Sequence, residues 1–161
     1  MMNNIESNNI VKIGIVVDNI EATAEHYSIL FKLDEPLEVH VPDPNKVPHP
    51  LAYKKLEGIE VSPKLKWCKV NLNPIYLEVV QPYDDTPSPW LNYLKKYGPG
   101  VCFISFFVDG FEQHVDFMEK GGYPMSFVEE KGFERYAYFH TQDKLGVTIE
   151  LKERKAIEEK V

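Results

Sequence analysis

Alternating apolar and polar positions near the start of the chain predict a β-strand. In VKIGIVVD, residues 11–18, one side of such a strand is wholly apolar, because alternate residues share a face. The other side carries a lysine, Lys12, among small and apolar neighbours. A charge in that position lies at a sheet edge, in a solvated cleft, or beside an opposite charge.

The same patterns along the whole chain predict eight strands and three helices. The strands fall near 10–18, 36–42, 65–71, 74–81, 101–109, 123–129, 134–140 and 146–153. The helices fall near 19–32, 88–97 and 110–120, and a proline-rich loop occupies 41–50. Ser88, Pro89 and Gly98 are typical of the two ends of the middle helix.

The two halves of the chain repeat one another. KIGIVVDNIE at 12–21 lies over FISFFVDGFE at 103–112, and YLEV at 76–79 lies over TIEL at 148–151. In each half the first strand ends in an aspartate, Asp18 or Asp109, with a glutamate three residues later, which is typical of a helix N-cap.

We therefore predict a single domain over 10–153, built from two βαβββ modules. The modules are residues 10–81 and 101–153, the helix at 88–97 joins them, and the polar tails are 1–9 and 154–161.

Charge and composition limit the classes of partner that the protein is expected to bind. The net charge of −7 argues against nucleic acid and anionic membrane surfaces, and no apolar run is long enough to span a bilayer. Two cysteines make no disulfide framework, and the polar N-terminus is unlike a signal peptide. We expect a cytoplasmic protein with a small-molecule ligand.

The sequence resembles the vicinal oxygen chelate superfamily, which includes glyoxalase I, methylmalonyl-CoA epimerase, extradiol dioxygenases and bleomycin-resistance proteins. The resemblance rests on KIGIVVDNIEATAEHYSILF, IYLEVVQP, SPWLNYLKKYGPGVCFISFFVDGFE and GVTIELKE, and it is strongest to epimerase-like and glyoxalase-like members. It implies an α+β fold whose two modules form a curved, open sheet around a cavity. It also implies a homodimer.

The resemblance places the family's metal-ligand positions in this chain. The two histidines of metal-dependent members fall on Lys12 and Phe103, and the two oxygen ligands fall on Glu78 and Glu150. Neither an ammonium group nor a phenyl ring is a metal ligand, so we predict that the usual metal site is lost and that no cofactor is bound. Two carboxylates about 4 Å apart repel by roughly 4 kcal/mol at an effective dielectric constant near 20, and we expect Lys12 to neutralise them.

Alternatives to this site remain open from sequence. Lys12 can instead extend to solvent at a sheet edge, and both glutamates can be solvated strand residues. Strand alternation predicts that the ligand pocket is lined by Phe103, Ser105, Phe107, Tyr76 and Thr148, although Phe107 fits a core position equally well.

The histidines offer further candidates. His140 aligns with a histidine common in epimerase-like relatives and is a candidate ligand contact or proton carrier, with a structural role as the alternative. His40 and His49 flank the proline-rich loop, where either can close over a ligand. His26 and His114 are expected at helix surfaces.

Three functions follow, in order of preference. The first is a metal-independent enzyme of lyase or isomerase type acting on a small organic acid or carbonyl compound, with Glu78 or Glu150 as general base tuned by Lys12. The second is a non-catalytic protein that binds or sequesters a small molecule, as bleomycin-resistance proteins do. The third is a divalent-metal enzyme with a rearranged ligand set of Glu78, Glu150 and His140. Residues 64–72 lack the additional glutamate of the epimerases, which argues against epimerase chemistry.

Overall fold

The computed structural model describes residues 2–33 and 35–154. These residues form one nine-stranded sheet and four α-helices. The strands are β1 (Ile10–Val16), β2 (Tyr53–Leu56), β3 (Ile59–Glu60), β4 (Leu65–Asn71), β5 (Tyr76–Pro82), β6 (Gly100–Phe107), β7 (Met125–Glu130), β8 (Glu134–Phe139) and β9 (Thr148–Arg154). The helices are α1 (Ile20–Leu30), α2 (Pro89–Tyr97), α3 (Phe111–Lys120) and α4 (Gln142–Leu145). From residue 155 on, the predicted polar tail lies outside the described residues.

The strand order confirms the predicted α+β class. It runs β3-β2-β7-β8-β9-β6-β1-β5-β4, so the first strands of the two modules, β1 and β6, are antiparallel neighbours in the middle of the sheet. Each of them is parallel to the last strand of its own module, β1 to β5 and β6 to β9. The internal repeat therefore places equivalent positions of both modules side by side.

Helices α1 and α3 pack on the same face of the sheet, which we call the helix face. Helix α1 buries Ile20 and Ala24 against β4 and β5, and α3 buries Phe111 and Met118 against β8 and β9. The opposite face carries Lys12, and we call it the Lys12 face. Helix α2 packs there, with Trp90 against the aromatic residues of β7 and β8.

The helix caps differ from the prediction for α1 and α3. Asn19, not Asp18, caps α1 and accepts from the amide of Ala22 at 3.0 Å, and Gly110, not Asp109, precedes α3 without a side-chain cap. Each helix is also capped from the last strand of its module. Gln81 Oε1 accepts from Ile20 N at 2.8 Å, and Glu153 Oε1 accepts from Phe111 N at 3.1 Å.

The ends of α2 agree with the prediction. Ser88 Oγ accepts from the amide of Leu91 at 3.0 Å, Pro89 opens the helix, and Gly98 ends it with φ +75°. Among the described residues, no helix has the length and hydropathy of a membrane span.

The predicted strand at 36–42 is wrong. Only His40 forms a bridge there, with two backbone bonds to Trp67 of 2.8 and 3.1 Å. Instead, the hairpin β2–β3 follows the proline-rich loop and pairs with β7 of the other module. The prediction failed because extended backbone becomes a strand only where a neighbour supplies the ladder, and that neighbour is distant in sequence.

Candidate functional site

Strand register brings the four family positions together on the Lys12 face. Lys12 of β1 is directly opposite Ser105 of β6, which is opposite Glu150 of β9. Gly14 of β1 lies between the other two positions. It is opposite Glu78 of β5 on one side and opposite Phe103 of β6 on the other. These residues come from four adjacent central strands, so the sheet itself fixes their positions.

The Lys12 ammonium group contacts both glutamates. Its Nζ donates a hydrogen bond to Glu78 Oε2 and lies 3.4 Å from Glu150 Oε1. Ser105 Oγ donates to the same Glu150 oxygen at 2.6 Å. The predicted neighbourhood of one cation and two carboxylates is therefore present, with a serine hydroxyl added.

This cluster is buried. The side chains of Lys12 and Glu150 are 5% and 1% exposed, whereas that of Glu78 is 23% exposed. The alternatives of a lysine at a sheet edge and of a solvated Glu150 are wrong, because β1 and β9 are interior strands. Glu78 is the charged group of the cluster that solvent reaches most easily.

The charges determine the protonation of Lys12. Burial favours its neutral form, but attraction by Glu150 and then by Glu78 outweighs burial, so the pKa of Lys12 is raised above its ordinary value. Lys12 is therefore a fixed positive charge at neutral pH.

Phe103 is the second residue at which the family resemblance leads us to expect a histidine. Its ring is 1% exposed, its centroid lies 5.4 Å from Lys12 Nζ, and it packs 5.0 Å from the ring of Tyr138. Gly14 leaves the room that the ring needs, since a Cβ there would meet Phe103 Cε1 at 2.0 Å.

These residues do not fit a divalent metal ion. Lys12 and Phe103 offer no lone pair, and both carboxylates already bind the lysine. In the part of the chain that the structure describes, no three His, Cys, Asp or Glu side chains form a cluster that could hold a metal. His140 Nε2 contacts Glu57 Oε1 at 2.6 Å instead, with both side chains about half exposed at 52% and 54%.

The face predicted to line a cavity is packed with side chains. Of the predicted lining residues, Phe103 and Ser105 are buried, and Tyr76, Phe107 and Thr148 are half-buried. The buried cluster on this face consists of Val16, Val80, Trp90, Cys102, Phe103, Phe127, Tyr136 and Tyr138. We call it the aromatic cluster.

Two surface clefts lie away from the aromatic cluster. One, of about 680 Å³, borders Met2, Gln113, Asp116, Phe117, Lys120 and Gly121. The other, of about 560 Å³, borders Asn8, Asn9, Ile10, Pro74 and Ile75.

Several residues of this face escaped the sequence prediction. Tyr138 accepts a hydrogen bond from Trp90 Nε1 at 3.2 Å, and Tyr136 donates to Glu129. Burial raises the pKa of both tyrosines well above the ordinary value. The alternation in RYAYF, residues 135–139, is the sequence signal that places both rings on one face.

Of the remaining histidines, His26 is exposed on α1 as expected, whereas His114 differs from the expectation. His114 is 1% exposed, not at the helix surface, and its Nδ1 lies 2.9 Å from Gly110 O. His40 stacks on Trp67 with ring centroids 4.1 Å apart, and His49 lies against Gly132.

Comparison with known families identifies the class. The model described as "Glyoxalase/Bleomycin resistance protein/Dioxygenase superfamily" matches residues 12–152, so the chain belongs to that superfamily. A comparison with curated protein sequences finds no match.

Solved structures with a similar fold include methylmalonyl-CoA epimerases. That from Mycobacterium tuberculosis has a TM-score of 0.63 and 17% identity over 97% of this chain and 94% of its own. A variant of the Streptomyces coelicolor epimerase in complex with 2-nitronate-propionyl-CoA has a TM-score of 0.63 and 21% identity, over 96% of this chain and 100% of its own. A methylmalonyl-CoA epimerase in complex with methylmalonyl-CoA and NH4+ has a TM-score of 0.63 and 21% identity, over 95% of this chain and 99% of its own. At these identities the likeness shows the fold.

Proposed function

We propose that this chain is a metal-independent member of the superfamily that acts on a small organic acid or carbonyl compound, with lyase or isomerase chemistry. The observation that carries the proposal is the Lys12 ammonium group in contact with both Glu78 and Glu150. It supplies a fixed positive charge at the position where metal-dependent relatives hold a divalent ion.

Such a charge suits the removal of a proton next to a carbonyl group. Glu78, the most exposed charged group of the cluster, accepts the proton, and the ammonium group of Lys12 stabilises the negative charge on the enolate oxygen. Return of the proton from Glu78 to another carbon of a conjugated enolate gives an isomer, and loss of a leaving group from the enolate gives a lyase reaction.

The comparisons support this chemistry at the level of class. One similar structure holds methylmalonyl-CoA together with NH4+, a cation of the same chemical type as the lysine head group. Strand β4 lacks the extra glutamate expected of an epimerase, so we propose a substrate other than that of the epimerases.

A second candidate is a small-molecule binding protein without turnover. It is favoured by the engagement of both carboxylates, because a carboxylate that accepts a hydrogen bond from an ammonium group is a weaker base.

The predicted homodimer and cytoplasmic location remain predictions, and light scattering tests the first.

Proton exchange in D2O tests the catalytic proposal. Metal-stripped protein is incubated with pyruvate or 2-oxobutanoate, and NMR follows loss of the proton next to the carbonyl. We expect exchange that survives EDTA, is lost in Glu78→Gln and is retained in Asp116→Asn, whose carboxylate lies at the surface of α3. Exchange that requires an added divalent ion contradicts metal independence, and binding without exchange favours the second candidate.

A further inference from the structure

The hairpin β2–β3 covers part of the aromatic cluster. Leu56 of β2 and Val61, just after β3, pack against that cluster from outside the central strands. The hairpin belongs to the first module by sequence but joins the sheet at the edge of the second, through β7. The hairpin therefore extends the sheet by two strands beyond β7.

The hairpin joins the sheet through β2. In the described residues, β2 forms four registered pairs with β7, from Tyr53–Glu130 to Leu56–Phe127, and Lys54 Nζ lies 3.5 Å from Glu129 Oε1. At its tip, Glu57 contacts His140 at 2.6 Å in an exposed pair, and the amide of Glu57 donates to Ser126 O at 2.8 Å. Short edge elements with exposed bonds open with less free energy than the whole domain.

The chain before the hairpin is suited to movement. Residues 41–50 are exposed at every position and contain four prolines, at 42, 44, 48 and 50. Their backbone makes few hydrogen bonds of its own, because proline has no amide hydrogen to donate. On this side, the packing that a swing of the hairpin must release is the contact of His49 with Gly132.

A ligand at Lys12 needs such an opening. Lys12, Ser105 and Glu150 are each no more than 4% exposed, so a molecule that reaches them must displace what covers the Lys12 face. Helix α2 also lies on this face, but it has nine residues, is capped at both ends and buries Trp90 and Leu91. The hairpin is the weaker of the two covers.

We propose that the β2–β3 hairpin is a hinged cover over a ligand site lined by Phe103, Phe127, Tyr136 and Tyr138. The site takes a small, largely apolar molecule with one hydrogen-bond acceptor, such as a carbonyl oxygen. This deepens the proposed function and rests on it for placing the ligand on the Lys12 face.

The hydroxyl of Tyr138 is the reason why we expect the ligand to carry one hydrogen-bond acceptor. It accepts from Trp90 Nε1, which leaves its own hydrogen for a ligand oxygen. Burial and the nearby Glu150 raise the pKa of Tyr138 well above the ordinary value, so the hydroxyl keeps that hydrogen. The rings around it supply apolar contact area.

Hydrogen exchange of the unmodified protein tests the hinge. We expect amides of β2 to exchange about 100-fold faster than those of β8, which lies between β7 and β9. His140→Ala should speed β2 exchange further. Asp116→Asn, which breaks an exposed 2.6 Å ion pair with Lys120 on α3, is the matched control and should change nothing in β2. Equal, slow exchange of β2 and β8 overturns the hinge.

A reversible lock tests the site. Lys54 and Glu129 are registered partners across β2 and β7, and Lys54→Cys/Glu129→Cys places two thiols there. The ligand analogue is prodan, a neutral naphthyl ketone whose fluorescence reports an apolar environment. We expect prodan to bind the reduced variant and the wild type, and to bind the oxidised variant at least about 10-fold more weakly, since a disulfide holds the strands together.

Reduction of the same sample is the control for misfolding, since it should restore prodan binding. Cys68 and Cys102 are buried and do not compete for the new thiols. Equal prodan binding by the oxidised and reduced forms overturns the proposed site. Lock-dependent binding without proton exchange keeps the site and removes the catalytic function, so the two proposals fail separately.

Discussion

The ring of Phe103 lies over Gly14 on the neighbouring strand, where any Cβ at residue 14 would stand 2.0 Å from Cε1 of that ring. The absence of a side chain at one residue and the presence of an aromatic ring at the other are therefore linked. Position 103 is one of the two at which the family resemblance leads us to expect a histidine in metal-dependent members. The ring thus fills space near the Lys12 ammonium group and helps to exclude water from it.

Gly14→Ala should destabilise the protein by about 1–3 kcal/mol, because the new methyl group overpacks the sheet against Phe103. Urea unfolding measures the loss. Adding Phe103→Leu should recover part of it, since the smaller side chain makes room. Gly100→Ala, on the neighbouring strand β6, is the control, because its nearest neighbour is a tyrosine hydroxyl at 3.1 Å. Unchanged stability of Gly14→Ala would show that the two positions are not in contact.

Both cysteines should be unreactive in the folded protein. Burial raises the pKa of Cys68 to about 11, and burial followed by the charge of Glu150 raises that of Cys102 to about 12. Because the thiolate is the reactive form, we expect no reaction with Ellman's reagent at pH 8 and two equivalents in guanidinium chloride. A thiol that reacts within minutes in native buffer contradicts the packing described for it.

Glu134 should make a pH-dependent contribution to stability. Burial raises the pKa of Glu134, but attraction by Lys152 and Lys131 outweighs burial, and the pKa is lowered overall. A lowered folded-state pKa contributes stability that is complete above the unfolded pKa of about 4.3 and is lost as the pH falls through the folded value.

The difference in unfolding free energy between wild type and Glu134→Gln measures that contribution. We expect it to be largest near pH 7 and to shrink below about pH 4, where the unfolded and then the folded carboxylate take up a proton. A difference that stays constant from pH 7 to pH 3 would assign the effect to something other than the charge of Glu134.

The repeat explains how much of the site the sequence predicts. Lys12 and Phe103 occupy the same place in the two modules, and so do Glu78 and Glu150, so alignment of the halves identifies them as two equivalent pairs. Lys12 and Glu150 are buried because β1 and β9 are interior strands. That position follows from the order of the modules in the sheet.

The hairpin was beyond sequence prediction for a physical reason. Strands β2 and β3 have four and two residues, too few for a period-two pattern to stand out, and the partner β7 is about seventy residues away. The turn itself left a trace, since Glu57 and Gly58 have φ of +49° and +79°, and glycine favours such a turn. The filling of the expected cavity likewise depends on Leu56 and Val61, which this hairpin brings in.

The central claim is that the positive charge of Lys12 holds the site together in place of a metal ion. Lys12→Met keeps a similar length but leaves two carboxylates without their cation. Removing one partner of a buried ion pair costs about 3–5 kcal/mol. Lys96→Met, an exposed lysine over a tyrosine ring, is the matched control and should keep the unfolding midpoint of the wild type.

The decisive measurement is urea unfolding of metal-stripped Lys12→Met at pH 7, alone and combined with Glu78→Gln and Glu150→Gln. The account predicts a loss of about 3–5 kcal/mol for the single variant and recovery of most of it in the triple variant, where no buried charge is left unpaired. A single variant as stable as wild type, or a triple variant no more stable than the single, would contradict the claim.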